Sequence, residues 1–207
     1  MKAYRKYLIA GLVVVALAIG GTTAWRYLIY ADLMSPSPLG EIVLGWKDAP
    51  VTIIEYASTT CPHCAHFNKV TFPELQRRYI ETGQVRYIFR EFPLNDLDFF
   101  AFMLARCSGN DKFFSFVDVL FKEQEKWLVD SPMPPLTEIA KQSGFTDDSL
   151  AACGTDKKMF DGISWSSHHA SKFGVQSTPT FFINGTKHTG DMSIEQLQKL
   201  IAPHLKS

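Results

Sequence analysis

The passage from Val51 to Cys64 constrains the fold more than any other part of the chain. Val51-Thr52-Ile53-Ile54-Glu55-Tyr56 is a compact, largely apolar, β-prone run, as expected of a central strand covered on both faces. Glu55 is the one residue that does not belong in such a strand. Shortly afterwards Cys61-Pro62-His63-Cys64 opens a helical pattern from about Pro62 to Glu81, with Phe67, Val70, Leu75 and Tyr79 at roughly helical spacing and Gly83 at its exit. Val85 to Phe92 then alternates apolar and polar residues for most of its length, which predicts a second strand. The chain must therefore build an α/β layer, with two cysteines at the point where the first strand gives way to the first helix.

Beyond Phe92 the pattern changes. From Asn95 to Phe173 no comparable strand signal occurs, and several helices are expected, punctuated by Gly109, the Pro132 to Pro135 cluster and Gly144. Strand signals return at Thr180-Phe181-Phe182-Ile183. Asn184-Gly185 then joins this run to Thr186-Lys187-His188-Thr189, a pair that accepts the positive φ angles of a type I′ hairpin turn. Ser193-Ile194-Glu195-Gln196 has the capping-box pattern of a final helix. These signals divide the chain into an anchor or signal helix over 1–30, a linker over 31–43 containing Ser35-Pro36-Ser37-Pro38, and an α/β domain over 44–94 and 174–207. A helical insertion occupies 95–173.

At 46% apolar and 20% charged, the composition supports a buried core. The first thirty residues carry Lys2, Arg5, Lys6 and Arg26 and no acid, which leaves 17 basic and 21 acidic residues beyond them. A folded part near −4 has no basic face for nucleic acid, and that class of partner is excluded. Leu8 to Ala24 is uncharged, follows three basic residues and precedes Trp25, Tyr27 and Tyr30. This predicts a membrane helix with its positive end in the cytoplasm, either retained as an anchor or cut after Ala24 as a signal peptide. In both cases the rest of the chain is expected outside the cytoplasm, in the periplasm of a bacterium, where disulfides persist.

A cysteine at a helix start lies among unpaired backbone N–H groups that favour the thiolate, so Cys61 is the candidate nucleophile, facing outward, with Cys64 one turn on and tucked beneath the helix. Pro62 suits the first helical turn, and a protonated His63 would favour the thiolate further. A thiol titrating well below neutrality stabilises the reduced pair and makes its disulfide an oxidant. A stapling disulfide closes too small a loop to stabilise much. A metal site made from Cys61, His63, Cys64 and His66 asks successive helical positions to converge, so no metal ligands are assigned.

The strand-to-helix Cys61-Pro62-His63-Cys64, Glu55 six residues before it and Thr178-Pro179 before a strand resemble the DsbA-like thiol:disulfide oxidoreductases of the thioredoxin superfamily, over about Leu44 to Leu200 and including the helical insertion. The resemblance implies a thioredoxin fold, a cis-proline loop at Thr178-Pro179 that faces the disulfide and binds client backbone, and a buried Glu55 that moves protons to and from Cys64. It further implies a monomeric periplasmic dithiol oxidase with no cofactor beyond its redox-active disulfide. Reduced, unfolded exported proteins would be its substrates, and a quinone-linked membrane protein of the DsbB type would reoxidise it. Thr178 departs from the valine that several members carry and is commoner in isomerising or reducing relatives, whereas His63 argues for oxidation. The alternatives are therefore an isomerase or reductase, and a metal carrier. Some relatives carry an extra disulfide in the helical domain, which would pair Cys107 with Cys153, as a structural link or as a second redox pair.

Overall fold

The computed structural model describes residues 28–205. The predicted anchor falls almost wholly on residues 1–27, outside the described residues. Among the described residues no helix is long and apolar enough to cross a membrane. The chain forms two units, residues 1–36 and residues 37–207. In the first, the described residues are helical as far as residue 33.

The second unit is built on five strands, β1 (Ile42–Leu44), β2 (Val51–Ala57), β3 (Val85–Glu91), β4 (Thr180–Ile183) and β5 (Thr186–Thr189), in the order β1-β3-β2-β4-β5. β2 and β3 run parallel, Val51 opposite Val85 and Glu55 opposite Phe89; the other pairings are antiparallel. Their parallel pairing needs a crossover, supplied by helix α1 over residues 62–80. α1 is regular over Pro62–His66 and Phe72–Leu75 and widens into π-type turns over Phe67–Thr71 and Gln76–Ile80.

Side chains alternate across the sheet, so the central strands present two different faces. Ile53, Glu55, Tyr87, Phe89 and Phe181 share the face covered by α1, where Phe67 meets Phe181 at 4.8 Å and Phe72 meets Tyr87 at 5.0 Å between ring centres. Ile54, Tyr56, Ile88, Arg90 and Phe182 point the other way, where Tyr56 packs edge-on to Phe182 at 6.0 Å.

Between β3 and β4 the chain runs through α2 (Asp96–Cys107), α3 (Asn110–Lys122), α4 (Gln124–Trp127), α5 (Met133–Gln142), α6 (Asp147–Gly154) and α7 (Lys157–Lys172). Their core is aromatic: Phe102, Phe113, Phe116, Phe121 and Trp127 are fully buried, and Phe113 reaches across to Phe89 of the sheet. α8 (Ile194–Ile201) follows the hairpin, with Ser193 and Gln196 closing a capping box. Asn184 and Gly185 take φ angles of +44° and +84°, as a type I′ turn demands.

One strand differs from the sequence reading. Ile42–Leu44 starts within the segment expected to be linker and pairs with Phe89, Ile88 and Tyr87. Three residues are too few for a period-2 pattern to show, and the partner strand alone specifies this edge. Gly45 ends it with φ +89°, and a β-carbon there would lie 2.3 Å from the Val85 carbonyl oxygen.

Candidate active site

β2 ends at Ala57, and residues 58–60 carry the chain to Cys61, the N-cap of α1, where φ −81° and ψ 122° are extended before the helix begins. Cys61 donates its backbone N–H to the Ser58 carbonyl at 3.2 Å, and its own carbonyl receives the Ala65 N–H at 3.1 Å. Pro62 stands in the first helical turn, where its missing N–H leaves nothing unsatisfied. Pro62 and His63 are exposed, but Cys61 is only 5% exposed and Cys64 fully buried. The nucleophile is thus less open than the sequence reading expects. Thr178 lies against it, with its carbonyl 3.2 Å from Cys61 Sγ, which donates there in its thiol form. The Thr178–Pro179 peptide is cis, and the loop is tied by Gly190 N–H to the Pro179 carbonyl at 2.9 Å.

The two free thiols titrate in opposite directions. Cys61 is drawn down from 9.0 to about 5, first by a hydrogen bond from the Cys64 side chain, against the opposing effect of burial, and then by Thr178 and the backbone N–H groups of Cys64 and His63. The part His63 plays there is through its amide. Cys64 is pushed well up, chiefly by burial, then by its hydrogen bond with Cys61 and the charge of Glu55. Glu55, 2% exposed, rises from 4.5 to about 8 because burial outweighs the hydrogen bond donated by Tyr87 Oη; the charges of Cys61 and Asp191 add to the rise. At neutral pH the site therefore combines a thiolate, a buried thiol and a largely protonated carboxyl.

Two groups around this centre, Asp98 and Gln124, give no signal in the sequence. Asp98, in the first turn of α2, accepts the Thr59 N–H at 2.8 Å and the Leu94 N–H at 2.9 Å. Gln124 of α4 donates its amide to the carbonyls of Thr59 at 2.8 Å and Cys61 at 3.1 Å. The insertion thus holds the loop that presents the nucleophile. His66, on α1, pairs with Asp191, just before α8. Asp98 and Gln124 stand out in no local pattern, because their partners are set by packing alone. Among the described residues, no group of three or more His, Cys, Asp or Glu side chains is placed to hold a metal ion.

Cys107 and Cys153 form a disulfide with a Cα–Cα separation of 6.1 Å, joining the end of α2 to α6 inside the insertion.

Comparison with known proteins agrees with this geometry. A family model described as thioredoxin matches residues 37–202. The crystal structure of Wolbachia pipientis α-DsbA1 superposes with a TM-score of 0.75 at 33% identity, covering 83% of this chain and 94% of that one. A Rickettsia bellii protein, provisionally named a protein-disulfide oxidoreductase, is 36% identical over 78% of this chain and 63% of its own length. Disulfide bond formation protein D of Bacillus subtilis is 27% identical over 83% of this chain and 80% of its own. The chain spans about three fifths of the length of the Rickettsia relative. On the match over residues 37–202 and the extent of the likeness to α-DsbA1, the chain belongs to the thioredoxin family, as a DsbA-like member.

Proposed function

We propose that this chain is a dithiol oxidase that introduces disulfide bonds into exported proteins through Cys61 and Cys64. The observation that carries the reading is the opposed titration of the two thiols, Cys61 down to about 5 and Cys64 up. A thiolate already ionised two units below pH 7 stabilises the reduced pair by about 2.7 kcal/mol, or about 60 mV on a two-electron couple. The disulfide form is correspondingly oxidising.

A client thiolate attacks the Cys61 sulfur of the enzyme disulfide, and the Cys61–Cys64 bond breaks. Cys64 leaves into a buried site where its thiolate is disfavoured, so it takes a proton, for which the raised Glu55 is the placed donor. A second client thiolate then attacks the client sulfur of the mixed disulfide, and Cys61 leaves as the stabilised thiolate. Two electrons pass from client to enzyme, and the client keeps the new disulfide. Thr178 and the cis Pro179, beside Cys61, suit client backbone. No cofactor beyond the cysteine pair is needed, and a membrane protein of the DsbB type would return it to the disulfide. The uncharged stretch from Leu8 to Ala24 behind three basic residues supports export to the periplasm, with the helix kept as a tether to the inner membrane. The Cys107–Cys153 disulfide, half-buried at Cys107 and buried at Cys153, is assigned a structural role.

The test is the reduction potential of the Cys61/Cys64 pair, measured by equilibrating the protein in glutathione buffers and trapping thiols by alkylation. A value well above the roughly −270 mV of thioredoxin is expected. A value at or below it would replace the oxidase by a reductase. Alkylation in intact cells should find the pair mainly oxidised.

A further inference from the structure

Glu55 is buried against the protein on most sides but borders a cavity of about 360 Å³ between the sheet, α1 and α3. Tyr87, on β3, shares this wall and the sheet face of Glu55. Its hydroxyl donates to Glu55 Oε2, and its ring is gripped by Phe72 at 5.0 Å and Phe114 at 6.3 Å between ring centres. Asn68 of α1 also lines the cavity, and its Oδ1 is buried without a hydrogen-bond partner. An unmet acceptor in a cavity of this size is a site for water.

The titratable and charged groups around Glu55 come from every element packed on it. They are Tyr87 from β3, Cys61 and Cys64 at the head of α1, and Asp191 before α8. Lys69 of α1 and Asp118 and Lys122 of α3 stand at the cavity wall. From β4 the residue opposite is the apolar Phe181.

We propose that Tyr87 is a positioning residue for proton transfer at Cys64: its hydroxyl holds the Glu55 carboxyl at the edge of this cavity, from whose water the carboxyl recovers the proton it gives to the departing sulfur. The proposal rests on one step of the oxidase reading, the opening of the Cys61–Cys64 disulfide with Cys64 protonated as it leaves, and not on the net direction of exchange. The proton balance closes: the Glu55 carboxyl loses a proton to the Cys64 thiolate and, as carboxylate, is reprotonated from bulk solvent through the cavity water, so one solvent proton ends on Cys64. The Tyr87 hydroxyl keeps its own proton and favours the carboxylate over the acid. Removing it raises the pH at which Glu55 ionises.

The experiment is the rate at which a reduced client peptide opens the enzyme disulfide, followed by stopped flow across pH. It compares wild type, Tyr87→Phe, Glu55→Gln and the double variant. Tyr87→Phe keeps the ring and its contacts. Its alkaline limb, where the rate falls as Glu55 ionises, is expected to move up by roughly one pH unit, the order of one hydrogen bond to a charged group. Glu55→Gln should lose the limb, and Tyr87→Phe should then change nothing further. A limb unmoved in Tyr87→Phe, with or without a lower melting temperature, would overturn the proposal. So would a shift of equal size in the Glu55→Gln background. If the pair proves oxidising and the limb does not move, only the Tyr87 role falls. If the pair proves reducing and the limb still moves, the oxidase reading falls and the role of Tyr87 stands.

Discussion

Cys61 and Glu55 make opposite demands on the stability of the reduced protein, and the two can be unmasked separately. Cys61 titrates at about 5 when folded against an ordinary 9.0, so its folded value is depressed. Its contribution is full above pH 9 and is lost as pH falls towards 5, at about 1.4 kcal/mol per pH unit. Glu55 titrates at about 8 when folded against an ordinary 4.5, so its folded value is raised. Its contribution is full below pH 4.5 and is lost, with the same slope, as pH climbs to 8. Between pH 5 and 8 the slopes oppose, and each spans about 4 kcal/mol over three units. Reduced wild type should therefore be nearly flat in this window. Cys61→Ser should become less stable as pH rises, over a slightly shorter range, because the Cys61 charge no longer helps to raise Glu55. Glu55→Gln should become more stable as pH rises. Oxidised wild type, whose Cys61 cannot ionise, should follow Cys61→Ser. Urea unfolding at half-unit intervals from pH 5 to 8, under reductant for the three reduced proteins and without it for the oxidised one, measures this. For a body of this size, 4 kcal/mol corresponds to roughly 8–16 °C in melting temperature. Equal pH profiles for the three reduced proteins would refute the assignment of the opposed slopes to Cys61 and Glu55.

Other expectations follow from particular contacts. Gln124→Ala takes the side-chain donor from the buried Thr59 carbonyl and leaves the Cys61 carbonyl only the Ala65 N–H, and should cost about 2 kcal/mol in urea unfolding and slow exchange with a client peptide. Replacing Cys107 and Cys153 together by serine opens a link across 46 positions and should lower stability by up to about 4 kcal/mol. The reduction potential of Cys61/Cys64 should stay unchanged; a large shift would make the second pair a regulator. Gly45→Ala forces a β-carbon to 2.3 Å from the Val85 carbonyl at a φ of +89°, and thermal unfolding should show a loss of about 2 kcal/mol or more.

Much of this arrangement is legible in the residues themselves. β2 is marked by its apolar run, α1 and β3 by their periods, the Asn184-Gly185 turn names its hairpin, and Ser193 with Gln196 caps α8. The thiol pair at a helix start is equally local: the Cys64 side chain first, and then the backbone amides of Cys64 and His63, lower Cys61 from within one turn. Glu55 stands out because a charge in an apolar strand must be either paired or buried at a cost. β1 is not legible, since three residues cannot show a period and its partner lies more than forty positions away.

What the chain order alone could not reveal is which groups meet across long separations. Asp98 reaches Thr59 over 39 positions, Gln124 reaches it over 65, and Asp191 reaches His66 over 125. Tyr87 finds Glu55 over 32, through the register of β2 on β3. The sequence by itself determined the α/β order, the site of the redox chemistry and the direction in which Cys61 shifts, because those follow from neighbours within a strand or a helical turn. Only the tertiary structure decided how strongly Cys64 and Glu55 are raised and what holds the loop before the nucleophile. Desolvation and hydrogen bonding depend on what packs around a group in space, and distant segments supply that.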